Sequence, residues 1–181
     1  MCLLKPGACS VKPVSRRPSL FCATVHVMPG LFYEQFEIGM VFNHPWSRTV
    51  TEVDNVLFST LTMNPQPLHL DAEFAAQTEF GQRVVNSLFT LGLMIGMTVN
   101  DTTLRTTIAN LGLADVRFPK PVFHGDTITV RTTVESMRES TSRPEAGLVE
   151  FRHSAYNQHG EEVASCRRTA LMRRRPASES S

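Results

Sequence analysis

Asn64, Gln66, His69 and Asp71 fall within the eight residues Asn64-Pro65-Gln66-Pro67-Leu68-His69-Leu70-Asp71. Two amides, an imidazole and a carboxylate form a set suited to proton transfer to or from a bound molecule. An imidazole, with an ordinary pKa of about 6.5, takes and returns protons near neutral pH. Pro65 and Pro67 fix the backbone and remove two N–H donors. The stretch is therefore expected to be a stiff loop, poor at joining a helix or a sheet ladder and good at presenting side chains. Asp71 has a second reading as the N-cap of a short helix carrying Phe74 and stopped at Gly81.

The elements around the loop must hold it. Phe36 to Phe42, leading into Trp46 to Val50, reads as a first strand. Thr51 and Asp54 have the spacing of a capping box, and Val53, Val56, Leu57 and Leu61 follow at helical intervals. Residues 84–99 are apolar on nearly every side and contain no Asp or Glu, which predicts a central buried helix too short to span a bilayer. Its start, at Asn86 and Ser87, offers unpaired N–H groups and the positive end of the helix dipole to a developing negative charge; both residues also read as plain caps. Beyond it the period changes to two. Strands are expected over 108–118, 127–137, 148–156 and 163–172, with Gly125-Asp126 and Gln158-His159-Gly160 as turns. The order predicts an α+β fold, an antiparallel sheet wrapped around one long helix, whose free edges invite a second copy.

Composition excludes several classes. The net charge is +1 over 181 residues, so no strong field recruits nucleic acid or an anionic membrane. No apolar run reaches the length of a spanning helix. Cys2, Cys9 and Cys22 lie in the leader and Cys166 in a strand-like segment, with no metal-ligand spacing, so neither a disulfide framework nor a metal is expected. Residues 1–27 lack Asp and Glu and contain Lys5, Lys12, Arg16 and Arg17. They read as a targeting leader, a disordered extension, or sequence upstream of a start at Met28. Residues 28–173 read as one domain and 174–181 as a disordered tail. The location is read as cytoplasmic, or mitochondrial if the leader is a transit peptide of a eukaryotic protein.

The Asn-Pro and Pro-Leu-His-Leu-Asp pattern resembles the MaoC-like, (R)-specific enoyl-CoA hydratase family, which has the hotdog fold. Arg83-Val84-Val85-Asn86-Ser87-Leu88-Phe89 falls where that family begins its helix. Phe118-Pro119-Lys120-Pro121-Val122 with Gly125-Asp126-Thr127 is similar to its strand-turn-strand. The likeness covers about 36–173. Asn64, five positions before His69, stands where the family has its catalytic Asp, and Gln66 stands in place of an Asn. The overall pattern resembles a subgroup acting on branched C5 dicarboxyl-CoA esters, itaconyl-CoA or mesaconyl-CoA.

The resemblance implies a hydratase with His69 as acid or base, Asn64 holding water and Asp71 assisting, with Asp54 a weaker candidate. Asn86, Ser87 and Gln66 would bind the substrate or its oxyanion. Arg83, Arg117 and Lys120, with Arg105 nearby, would meet CoA phosphates or a free carboxylate, although each also reads as a surface charge. His44, His124 and His153 show no partner pattern and read as turn or core-edge histidines. No cofactor is expected beyond the CoA of the substrate. A homodimer is expected. A hotdog thioesterase and an inactive acyl-CoA binder are the competing functions.

Overall fold

The computed structural model describes residues 30–176. The expectations for residues 1–27 lie outside that range. The chain enters through a 3-10 turn, Tyr33–Gln35, and the first strand, β1, runs Val41–Thr49. This is shorter than the apolar pattern from Phe36 suggests. Gly39 adopts φ 87° and breaks the run, while Phe36 turns into the core at 4% exposure. Pro45 is tolerated because β1 lies at the edge of the sheet, with a register shift between Asn43 and Ser47.

Helix α1, Glu52–Leu61, begins with the predicted capping box: the Thr51 hydroxyl accepts from the Asp54 N–H and the Asp54 carboxylate accepts from the Thr51 N–H. The proline loop is not wholly irregular. Pro67 starts a single turn, α2, Pro67–Leu70, because proline lacks only an N–H that the first helical position leaves unpaired. Asp71 caps α3, Ala72–Ala76, through its Oδ1 to the Phe74 N–H at 3.0 Å. Helix α4 runs Ser87–Thr102, three residues later than expected, because Val84 pairs instead with Phe123 in a β-bridge.

Strands β2 (Thr107–Arg117), β3 (Thr127–Glu139), β4 (Ala146–Tyr156) and β5 (Glu162–Arg173) complete a five-stranded antiparallel sheet in the order β1-β3-β4-β5-β2. Helix α4 packs across β1, β3, β4 and β5. The buried stripe of α4 is Thr90, Met94, Thr98 and Thr102, not its leucines. Thr98 and Thr102 satisfy their hydroxyls on their own helix, at Ile95 O (2.8 Å) and Thr98 O (2.6 Å). The expectation of a helix buried on all sides is thus corrected: Leu88, Gly92 and Gly96 form an exposed ridge. Arg174 and Arg175 also depart from the expected tail, since both bond Glu34, and Arg174 reaches Glu139 as well.

His44 and His153 are core residues, not edge histidines. Asp101 Oδ2 meets His44 Nδ1 at 2.9 Å, His44 Nε2 meets Thr132 Oγ1 at 2.8 Å, and Thr132 Oγ1 meets His153 Nδ1 at 2.8 Å. The carboxylate only accepts, so with a neutral His44 every proton in the chain is directed toward Asp101. Burial, followed by the charge of Arg168, pushes His153 down to about 3. Cys166 is fully buried as expected of a small hydrophobe, and burial pushes its thiol up to about 11.

Candidate active site

His69 sits in α2, and its Nδ1 lies 2.8 Å from the carbonyl of Val84. A carbonyl only accepts, so Nδ1 carries the proton and a neutral His69 presents a lone pair at Nε2. The chain is held there by Asn55, a fully buried residue of α1. Asn55 Nδ2 donates to His69 O (3.1 Å) and Val84 O (3.2 Å) and meets His124 Nε2 at 3.0 Å. Asn55 Oδ1 accepts from the Asn86 N–H at 2.9 Å. One side chain thus ties α1, the His69 turn, the Val84 bridge, the start of α4 and the loop before β3. Sequence reasoning missed it. The only signal was an Asn among apolar helical positions, a poor helix former in a helix interior.

The expected residues are placed as follows. Asn64 is partly buried and its Oδ1 accepts from the Gln66 N–H at 3.1 Å, which shapes the entry to α2. Gln66 is exposed. Asp71 is exposed and engaged as the α3 cap. Asp54 is engaged by Thr51 and Arg48. The expectation that Asn86 supplies an oxyanion donor is corrected: its N–H goes to Asn55, and its side chain accepts from Leu88 N–H (3.0 Å) and donates to Ser59 Oγ (3.4 Å). Ser87 is exposed at the first helical position, and its N–H has no partner among the described residues.

Ser87 lines a cleft of about 340 Å³ with Val84, Thr90, Phe118, Lys120 and Val122. Lys120 is thus the one expected cation at this cleft, and its Nζ is 3.6 Å from Glu161. Arg83 is taken by Glu52 at 2.6 Å, which holds that carboxyl below its usual range through a hydrogen bond and charge. Arg117 ends β2 and is exposed. No described helix is long and apolar enough to cross a membrane.

The arrangement can therefore offer a base at His69 Nε2 and, joined to it through Val84, a cleft at the α4 N-terminus with an apolar lining and one cation. Comparison with known proteins gives the family. The description "MaoC like domain" matches residues 34–155. The chain is 35% identical over 146 residues to mesaconyl-CoA hydratase of Cereibacter sphaeroides, covering 81% of this chain and 42% of that protein. It is 32% identical to beta-methylmalyl-CoA dehydratase of Chloroflexus aurantiacus, covering 81% and 41%. Among solved structures, a MaoC domain dehydratase from Chloroflexus aurantiacus superposes with a TM-score of 0.77 at 31% identity, over 82% of this chain and 42% of that one. A monoamine oxidase regulatory protein from Archaeoglobus superposes at 0.74 and 33%, over 83% and 99%. A double-hotdog protein of Mycobacterium tuberculosis, at 22% identity and 0.74, shows the same fold. The chain spans less than half the length of the first two relatives. The sheet wrapped on α4 is the hotdog fold, and the chain belongs to the MaoC-like family.

Proposed function

We propose that the protein is a hydro-lyase that adds water reversibly to the double bond of an enoyl-CoA thioester, with a short branched C5 dicarboxyl ester as substrate. The observation that carries this reading is the His69 Nδ1–H bond to Val84, which leaves Nε2 as the base. Asn64 cannot ionise, so His69 takes the proton from water and returns it to Cα, and Asn64 acts through its amide. The Ser87 N–H and the α4 dipole support charge on the thioester oxygen. Lys120 at the cleft suits a free carboxylate or a CoA phosphate. The names of the mesaconyl-CoA and beta-methylmalyl-CoA relatives favour a dicarboxyl ester, mesaconyl-CoA or itaconyl-CoA.

A second copy fits the uncovered apolar surface. Edge strand β2 and the residue after it leave Leu111, Leu113, Val116 and Phe118 between 38% and 54% exposed. Such an edge is a template for pairing, and a homodimer would cover it. Thioesterase chemistry is less well supported. The structure extends α4 to include one carboxylate, Asp101, but that group is bound to His44.

The deciding assay mixes the protein with mesaconyl-CoA, itaconyl-CoA and crotonyl-CoA and follows the mass of each ester. Gain of water, greatest with a dicarboxyl ester, is the expected result. Release of free CoA without hydration moves the protein to the thioesterases, and binding without turnover makes it an acyl-CoA binder.

A further inference from the structure

We propose that His124 is a second catalytic imidazole of this site, giving a hydrogen bond from its Nδ1 to the thioester oxygen of the substrate. The proposal rests on the hydratase reading and deepens it.

The proton positions follow from Asn55. The Asn86 N–H can only donate, so the Asn55 atom 2.9 Å from it is the carbonyl oxygen, and the opposite atom is the amide nitrogen. That nitrogen can only donate. Its two hydrogens are shared among His69 O, Val84 O and His124 Nε2, the last at 3.0 Å, and an N–H on Nε2 would find no acceptor there. His124 Nε2 therefore carries a lone pair, and the single proton of the neutral ring is on Nδ1. Nδ1 has no partner among the described residues, and the ring is partly exposed. Phe123, the residue before it, bridges to Val84, whose carbonyl orients His69. The Val84 carbonyl thus sets the His69 ring and the Asn55 amide sets the His124 ring, in opposite senses. His69 shows a lone pair and His124 shows an N–H.

The surroundings keep the second ring uncharged. Burial and then the charge of Arg83 hold His124 below the ordinary histidine range, while Glu52 opposes them. Protonation at Nε2 would also set an N–H against the Asn55 amide. A neutral imidazole held this way is a known electrophile toward a carbonyl oxygen. It supplies a donor at a site where the Asn86 N–H is already spent on Asn55.

In the reaction the water oxygen bonds Cβ as its O–H bond breaks, and the proton passes to His69 Nε2. The π pair moves through Cα to the thioester oxygen, where His124 donates a hydrogen bond without losing its proton. The enolate then collapses, and Cα takes the proton back from His69 Nε2. One water is added, and both rings end as they began.

The test uses the whole chain and mesaconyl-CoA. His124→Ala is expected to lower kcat by about 10²–10³-fold, the usual cost of one such donor. KM and the melting temperature are expected to stay near the parent values. His124→Asn should recover part of the rate, because an amide offers an acceptor to Asn55 and an N–H to substrate. ¹⁵N NMR of His69 should show the proton still on Nδ1 in His124→Ala. A parent protein that hydrates mesaconyl-CoA, with His124→Ala within about threefold of it, overturns this proposal alone. Loss of the His69 tautomer together with the rate also overturns it, since His124 would then only position its neighbour. A parent inactive on mesaconyl-, itaconyl- and crotonyl-CoA overturns the hydratase reading and this proposal with it.

Discussion

The Nδ1–H of His69 donates to the carbonyl of Val84 at 2.8 Å, across fifteen residues of sequence. This bond fixes which ring nitrogen is left free, and it is made by a Val84 that pairs with Phe123 before α4 begins. Replacing His69 by Ala removes the base while leaving Val84 O with its Asn55 donor. The rate of hydration should fall by about 10²–10⁴-fold, with the denaturation midpoint close to that of the parent. Steady-state kinetics beside a urea melt check both halves.

Asn55 should matter for stability as well as rate. Asn55→Ala deletes the partner of the Asn86 N–H and of His124 and creates a buried gap. A loss on the order of 3 kcal/mol is expected from the unmet polar groups. Urea denaturation measures it; a loss under about 0.5 kcal/mol, the range of a neutral surface change, contradicts the hub.

The Thr132 hydroxyl serves two buried imidazoles, His44 and His153. Thr132→Val keeps the volume and strands both ring nitrogens. The expected destabilisation is about 2–5 kcal/mol, from two buried groups left without partners. Thermal melts at fixed pH should show it, and a melt matching the parent would dissolve the chain of bonds.

Acid should weaken the fold through His153. Its folded value of about 3 lies below the ordinary 6.5, so between those limits the unfolded chain holds the extra proton. Stability from this group is therefore complete above about pH 6.5 and falls as the pH drops toward 3, with a limiting slope of about 1.4 kcal/mol per pH unit. His153→Gln should flatten the stability profile over that window. An unchanged slope in chemical denaturation between pH 4 and 6 would assign the acid sensitivity elsewhere.

The β2 edge provides the test of assembly. Leu113→Glu puts a charge on an exposed apolar strand that has no neighbour on one side. If two copies pair there, light scattering should report a dimer for the parent and a monomer for the variant. Equal masses for both would place the dimer contact elsewhere or leave the protein monomeric.

The local signals in the sequence were strong where physics is local. The Thr51–Asp54 capping box, the period-two strands after Ile108 and the His69 loop each depend on neighbours a few residues apart, so the helix start, the four later strands and the candidate base were legible. Asn64 and Gln66 were legible as departures from a family pattern because the spacing to His69 survives. What the tertiary structure decided depends on distant partners. Asn55 looks like an ordinary helical residue until His69, Val84, Asn86 and His124 converge on it. His44 and His153 look unpartnered until β1, β3 and β4 align them with Asp101 and Thr132. The apolar run 84–99 predicts a helix buried on nearly every side, yet the sheet takes only the stripe of Thr90, Met94, Thr98 and Thr102, where Thr98 and Thr102 satisfy their hydroxyls on their own helix. Composition and period fix which segments form; which polar atoms meet is set only when strands far apart in sequence come into register.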